Sequence, residues 1–315
     1  MNPATLPPDP DERTIPVETI NIQFTLFSAF YAPLIATMSG GFLREEGLEP
    51  DWSVAPPGVS AIRALEDGSA HVVQSALSQN LMTLNRGETP TCLHFAQVNE
   101  MDGFFITGRE PEPDFTWDRL EGSEIVLFGG GQPLVMFRWA CHRAGIDFGK
   151  LKVIEVGGAA DMDRAFREGQ GRYVQQQGPF PQQLEADGKG HVVAQVGPKV
   201  GPCAFSSLAA TPEWLDTDMA KAFVRAYAKT RRYMNEESAA EIARAQEPFF
   251  PKIDPDVLRA CIATYQALGT WTPHVEITRD AYAATLDIYE YAGGLGERFA
   301  YERVCALPPG MEGHG

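Results

Sequence analysis

The sequence predicts an α/β protein of two similar lobes, each a mainly parallel sheet flanked by helices, with a ligand cleft between them. Three observations carry this expectation. Runs of strand and helix period alternate along the N-terminal two-thirds. The alternation occurs twice. The second copy follows the first at a nearly constant offset, so that RALEDGSAHVVQS from Arg63 lies over RAFREGQGRYVQQ from Arg164. Similar offsets bring Pro33-Leu34 onto Pro133-Leu134 and Gly47-Leu48 onto Gly145-Ile146. A repeat of this length is the size of a lobe, not of a solenoid unit.

The elements follow in order. Residues 1–18 are Pro-rich and acidic and read as a tail. Ile20 to Leu26 alternates apolar and polar residues and predicts the first strand. The loop FSAFYAP leads into a helix from Pro33 to Gly47, where the glycine supplies a C-cap. Leu48 to Val54 is a strand, Ser60 to Asp67 a helix closed by Gly68, Ala70 to Gln74 a strand, and Ser75 to Asn85 a helix. The strand-like runs CLHFAQV and GFFITG come next. The second copy opens with the strand EIVLF, turns at Gly129-Gly130-Gly131, and enters a helix that tolerates Pro133 in its first turn. The strand KVIEV, a helix from Asp161 to Glu168 and a strand from Arg172 to Gln176 complete it. After a return crossing near Cys203 to Ala210 the chain is helical: Asp218 to Met234, Ser238 to Ala245, Asp256 to Leu268 and Arg279 to Ala292. Residues 19–105 with 205–315 are expected to build one lobe and 106–204 the other.

Composition bounds the function. Of 315 residues 44% are hydrophobic and 22% charged, the balance of a globular chain. The net charge of −16 argues against tracking nucleic-acid phosphates or adhering to anionic lipid. No run is long enough to insert in a membrane. The start, MNPATLPPDPDERTIPVET, lacks the basic residues and apolar core of an export signal, so the chain as written reads as cytoplasmic. Had a signal been trimmed from it, it would be periplasmic. Cys92, Cys141, Cys203, Cys261 and Cys305 are odd in number and scattered, which is neither a disulfide framework nor a zinc site.

The order FYAPLIATMSGGFLREEGLEPDW, GVSAIRALEDGSAHVV and GE-TP, followed by DRLEGSEIVLFGGGQP, resembles the binding proteins for alkanesulfonates and thiamine-pyrimidine precursors. The likeness runs from Ile20 to Trp214 and implies a type II periplasmic-binding-protein fold. It also implies a solute-binding function of the kind that serves ABC transporters. The chain departs from the pattern at His71 and Arg172, where the family tends to have Asp. It departs again at Gln175-Gln176-Gln177-Gly178-Pro179-Phe180-Pro181, where an acidic pair is usual.

Ligands of open α/β sheets bind beyond the carboxyl ends of the strands. Four loops meet that condition and supply the candidate ligand-binding residues. Phe27, Ser28, Phe30 and Tyr31 come from the first, and Ser75 and Ser78, with Asn80 one turn on, from the second. Gly130, Gly131 and Gln132 come from the third, and Gln176, Gln177 and Phe180 from the fourth. The aromatic rings could stack on a flat ligand, the serines could donate hydroxyls, and free N–H groups at helix starts could hold a polar or anionic group.

Catalytic and cofactor signals are thin. The glycine turn has neither GxGxxG nor GxxxxGK spacing, and neither GxSxG nor HExxH occurs. Cys141 and His142 are adjacent on a helix and point apart, and Cys92 with His94 is too few groups for a metal. No catalytic residue, cofactor or metal is expected, and His71 reads as structural because it lies far from the strands' carboxyl ends. The expected function is a binding protein that closes by hinge motion near Gly103–Gly108 and Gly201–Phe205 around a small polar molecule, heteroaromatic or anionic. Its partners are the ligand and, in the exported case, an ABC permease. The rival is an enzyme in the same cleft, of the thiamine-pyrimidine-synthase or desulfinase kind. Against it, the cysteine-rich iron motif of those synthases is absent and Ser28 stands where a first-loop cysteine would.

Overall fold

The computed structural model describes residues 17–56 and 58–311; the expected tail, up to residue 16, lies outside them. Ten strands form two five-stranded sheets. The first holds β1 (Glu18–Phe24), β2 (Leu48–Val54), β3 (Val72–Ser75), β4 (Leu93–Asn99) and the late strand β10 (Ser206–Ala210), in the order β2-β1-β3-β10-β4. The second holds β5 (Phe104–Gly108), β6 (Glu124–Phe128), β7 (Lys152–Val156), β8 (Tyr173–Gln177) and β9 (His191–Gln195), in the order β7-β6-β8-β5-β9.

The two orders are the same once β6, β7, β8 and β9 are set against β1, β2, β3 and β4. The repeat read in the sequence is therefore a repeat of topology. Its remaining equivalence is β5 with β10, and each of these crosses into the sheet opposite to that of the strand before it. In each sheet that crossing strand is antiparallel to both of its partners, and the other pairs are parallel.

Helices cover the sheets. The expected single helix from Pro33 to Gly47 is two, α1 (Ala32–Ser39) and α2 (Phe42–Glu45), because Gly41 between them turns at φ +79°. Then come α3 (Ile62–Glu66), α4 (Ser78–Asn85), α5 (Gly131–Ala144) and α6 (Ala159–Arg167). Two short helices that the sequence reading passed over, α7 (Phe180–Ala186) and α8 (Gly197–Val200), flank β9. The C-terminal part is α9 (Pro212–Leu215), α10 (Asp218–Glu236), α11 (Ala239–Gln246), α12 (Pro255–Ala267) and α13 (Arg279–Tyr291). Ser238, Thr217 and Thr278 cap α11, α10 and α13 by accepting the backbone N–H three residues on.

One apolar core runs through both lobes. It includes Ile22, Phe24 and Phe95 under the first sheet, Ile125 and Phe137 under the second, and Trp271 from the C-terminal part. The chain passes between sheets at Glu100–Gly103 and again at Gly201–Phe205. The first crossing is earlier than expected, since Phe104–Gly108 is a central strand of the second sheet and not a hinge. Gly103 packs so closely on Phe30 that an added Cβ would sit 2.1 Å from the ring.

Candidate functional site

The carboxyl ends of β1 and β3 on one side, and of β6 and β8 on the other, face each other across the space between the sheets. The loop after β1 is pinned from below. Gln74 of β3 accepts from Thr25 N at 3.2 Å and takes the Thr25 hydroxyl on its backbone carbonyl at 2.7 Å. This fixes Phe27, whose ring stacks on Trp52 at 4.9 Å and meets Phe250 at 5.3 Å. Ser28 follows in extended conformation and caps a single 3-10 turn, Ala29–Tyr31, by accepting from Phe30 N.

Two carboxamides of the second lobe bind the first. Gln177, the last residue of β8, accepts from Ser28 Oγ at 3.1 Å and donates to the Tyr31 hydroxyl at 3.4 Å. Gln132, in the first turn of α5, donates to the Phe205 carbonyl and accepts from the Tyr289 hydroxyl at 3.3 Å. All four side chains of the first pair of contacts and of Gln132 are nearly or fully buried. Burial and the neighbouring Asp102 carboxyl push the Tyr31 phenol up to about 12, against a smaller lowering by Gln177, so Tyr31 is a neutral hydrogen-bonding group.

Beside the Gln177 latch lies a cavity of about 50 Å³, room for one or two waters. Phe27, Ser28, Gln177 and Phe180 line it, as do Phe104, Phe128 and Met162, which were not singled out in the sequence. The cleft is shut.

The other expected residues divide. Ser75 ends β3 opposite Ser207, and Ser78 starts α4 beside the Tyr289 hydroxyl, both near the Gln132 latch. Gly130 and Gly131 adopt φ of 156° and 62° and form the turn that lets α5 begin at the cleft. Phe30 instead lies in the core against Phe205 and Tyr265, because the 3-10 turn swings it beneath Gly103. Asn80 spends its amide on the Cys92 carbonyl at 2.8 Å and on that of Val304, which ties α4 to β4 and the C-terminal segment. Gln176 alternates to the sheet face opposite Gln177 and is fully buried, its carboxamide without a partner among the described residues. His71 accepts from Asn21 N at 3.0 Å at the far end of the sheet, a structural role as expected.

Tyr265 of α12 was missed. Its hydroxyl accepts from Gly178 N at 2.7 Å and donates to the Gly103 carbonyl at 3.0 Å, joining the fourth loop to the first crossing. Asp102, also missed, is fully buried in that crossing and accepts from Phe104 N at 2.7 Å. Burial pushes its carboxyl up to about 7, partly opposed by that hydrogen bond. The thiols of Cys92 and Cys141 are each raised to about 12 by burial, so neither is a thiolate at neutral pH. Among the described residues no group of three His, Cys, Asp or Glu could hold a metal, and no helix is long and apolar enough to cross a membrane.

The sequence profile of the NMT1/THI5-like family matches residues 29–240, well over half of the chain. The chain belongs to the NMT1/THI5-like family. YtlA of Bacillus subtilis (strain 168) is 27% identical over 281 residues, 88% of this chain and 84% of its own. Two solved structures share the fold. The ligand-binding component of an ABC-type import system from Staphylococcus aureus is 18% identical with a TM-score of 0.74, over 94% of this chain and 98% of its own. The alkanesulfonate-binding protein SsuA from Xanthomonas axonopodis pv. citri is 16% identical with a TM-score of 0.69, over 92% and 98%. These likenesses agree with the two-lobed α/β architecture and with the resemblance read from the sequence. The NMT1/THI5-like match includes Gln132 and Gln177. It stops before α12 and α13, which supply Tyr265 and Tyr289.

Proposed function

We propose that this NMT1/THI5-like protein is a solute-binding clamp that closes on a small molecule between two lobes, one built on each sheet, with the chain passing from one to the other at Glu100–Gly103 and Gly201–Phe205. The observation that carries the reading is the pair of carboxamide latches, Gln177 and Gln132, each bonded across the cleft to the first lobe. A ligand would enter the open cleft, exchange the Ser28–Gln177 bond for bonds of its own, and stabilise the closed arrangement by that differential contact. Phe27, Ser28, Gln177 and Phe180 are its nearest contacts in this account.

The likeness to an import component from Staphylococcus aureus supports transport as the setting, with an ABC permease as partner where the chain works outside the cytoplasm. An enzymatic reading gains no support from the cleft, which is lined by no nucleophile besides Ser28 and by no general base. Calorimetry and small-angle scattering against a metabolite library test the proposal. Saturable binding with compaction is expected; the absence of both would overturn it.

A further inference from the structure

We infer that a second small-molecule site lies at the second crossing, between α5 and α13, and takes a small zwitterion with an apolar body. That is the chemistry of an aliphatic amino acid. The site is separate from the cleft, and its failure would leave the clamp as it stands.

A cavity of about 210 Å³ opens there, larger than the one of about 50 Å³ beside the Gln177 latch. Three parts of the chain wall it: α5 with Trp139 and Arg143, α13 with Asp287 and Ile288, and the crossing with Val200 and Pro202. It shares no lining residue with the cleft cavity. Where Gln132 marks the cleft end of α5, Trp139 and Arg143 lie roughly 10 Å and 16 Å further along the axis. The volume is that of roughly seven waters in the liquid, which suits a single amino acid.

Helical spacing sets both long walls. Trp139 and Arg143 are four residues apart on α5, and Ala284, Asp287 and Ile288 share one face of α13. The Trp139 ring is held in place. Its indole N–H donates to the Val200 carbonyl at 3.2 Å, and the Tyr291 ring meets it edge-on at 5.2 Å. With Ile288 and Pro202 it makes a fixed apolar surface, which favours an aliphatic side chain by taking it out of water.

The two charged groups set the ligand's charge. Arg143 lies beside the Trp139 ring, its guanidinium carbon 5.9 Å from the centroid, and enters no ion pair among the described residues. Asp287 gives Oδ1 to Arg298 at 2.8 Å. Arg298 is divided between Asp287 and Glu290, so it does not cancel the carboxylate at the wall. A guanidinium on α5 and a carboxylate on α13, with apolar surface between them, match a ligand carboxylate, a ligand ammonium and an aliphatic body. A plain anion would leave Asp287 facing like charge, and a plain amine would do the same to Arg143.

Calorimetry on the full chain with L-leucine, 4-methylpentanoate and 3-methylbutylamine separates these cases, since the last two keep the body and each lose one charge. Leucine is expected to saturate the protein at millimolar concentration and to bind about fivefold more tightly than either, the scale of ion pairs open to water. Arg143→Gln is expected to abolish the preference over the amine and keep that over the acid. Asp287→Asn is expected to do the reverse, and Arg143→Lys, which keeps the charge, to retain most of the preference. Both side chains are exposed, so these substitutions leave the core intact. Failure of leucine to saturate, an acid or amine that binds as tightly as leucine, or affinities that neither variant changes would overturn the site.

Discussion

Gln177 and Asp102 do different work a short distance apart. Gln177 holds the lobes together by two neutral hydrogen bonds, of the order of 1 kcal/mol each in net terms. Gln177→Ala is therefore expected to move the open–closed balance toward open by about thirtyfold, read as a larger radius of gyration, with thermal stability nearly unchanged. Asp102 is held as the neutral acid by burial. Its folded value, about 7 against an ordinary 3.8, means the folded state keeps a proton that the unfolded chain gives up. The stability from burying the neutral form is complete below pH 3.8, declines as pH rises, and is lost above about 7. Asp102→Asn keeps the acceptor for Phe104 N and removes this loss. Urea unfolding should show the variant gaining on the parent from pH 4 to pH 8, by an amount on the order of 3–5 kcal/mol. An equal difference at every pH would contradict the assignment. Neither residue's role was open to the same degree in the sequence. Gln177 ends a strand at the expected cleft, so position alone nominated it. Asp102 looks like any turn aspartate, and its burial depends on tertiary packing, including the close approach of Gly197 in α8 to the Asp102 carbonyl and the Met101 side chain.

At the scale of elements, the strands and main helices were legible because their periods are strong: β2 runs over Leu48–Val54 as read, and α5 ends at Gly145 in the left-handed turn its glycine allows. What the sequence hid was short or interrupted. Prolines 179 and 181 disguise α7 as loop, and β9 is half-buried along its length and offers only the short apolar run Val192–Ala194. Phe30 shows the limit of naming residues from a loop, since one 3-10 turn moves it from the cleft into the core. The C-terminal helices were predicted as packing elements, yet α12 and α13 bring Tyr265 and Tyr289 to the seam. Both occupy apolar positions of amphipathic helices, where nothing in the sequence separates them from core aromatics. Tyr265→Phe tests the contribution of α12. It strands the buried Gly178 N–H and Gly103 carbonyl and is expected to cost about 1–3 kcal/mol in chemical denaturation. Gly103→Ala should cost more, because the added methyl has no space against Phe30.

The whole molecule is built on a swap. β5 and β10 each leave the copy that precedes them in the chain and complete the other sheet, so the lobes share two crossings and a continuous core. In the proposed clamp, relative motion is expected at Glu100–Gly103 and Gly201–Phe205. The internal repeat made this architecture readable without reference to any relative. The clamp itself is tested most directly by a distance across its mouth. Val59 and Ala160 occupy matching positions of the two copies, both exposed, and all five native cysteines are buried, so Val59→Cys with Ala160→Cys can carry spin labels. Pulsed dipolar spectroscopy should give a long and a short distance in the free protein, a shift to the short one with saturating ligand, and a shift to the long one on adding Gln177→Ala. A single distance, unchanged by bound ligand and by the loss of Gln177, would contradict a clamp.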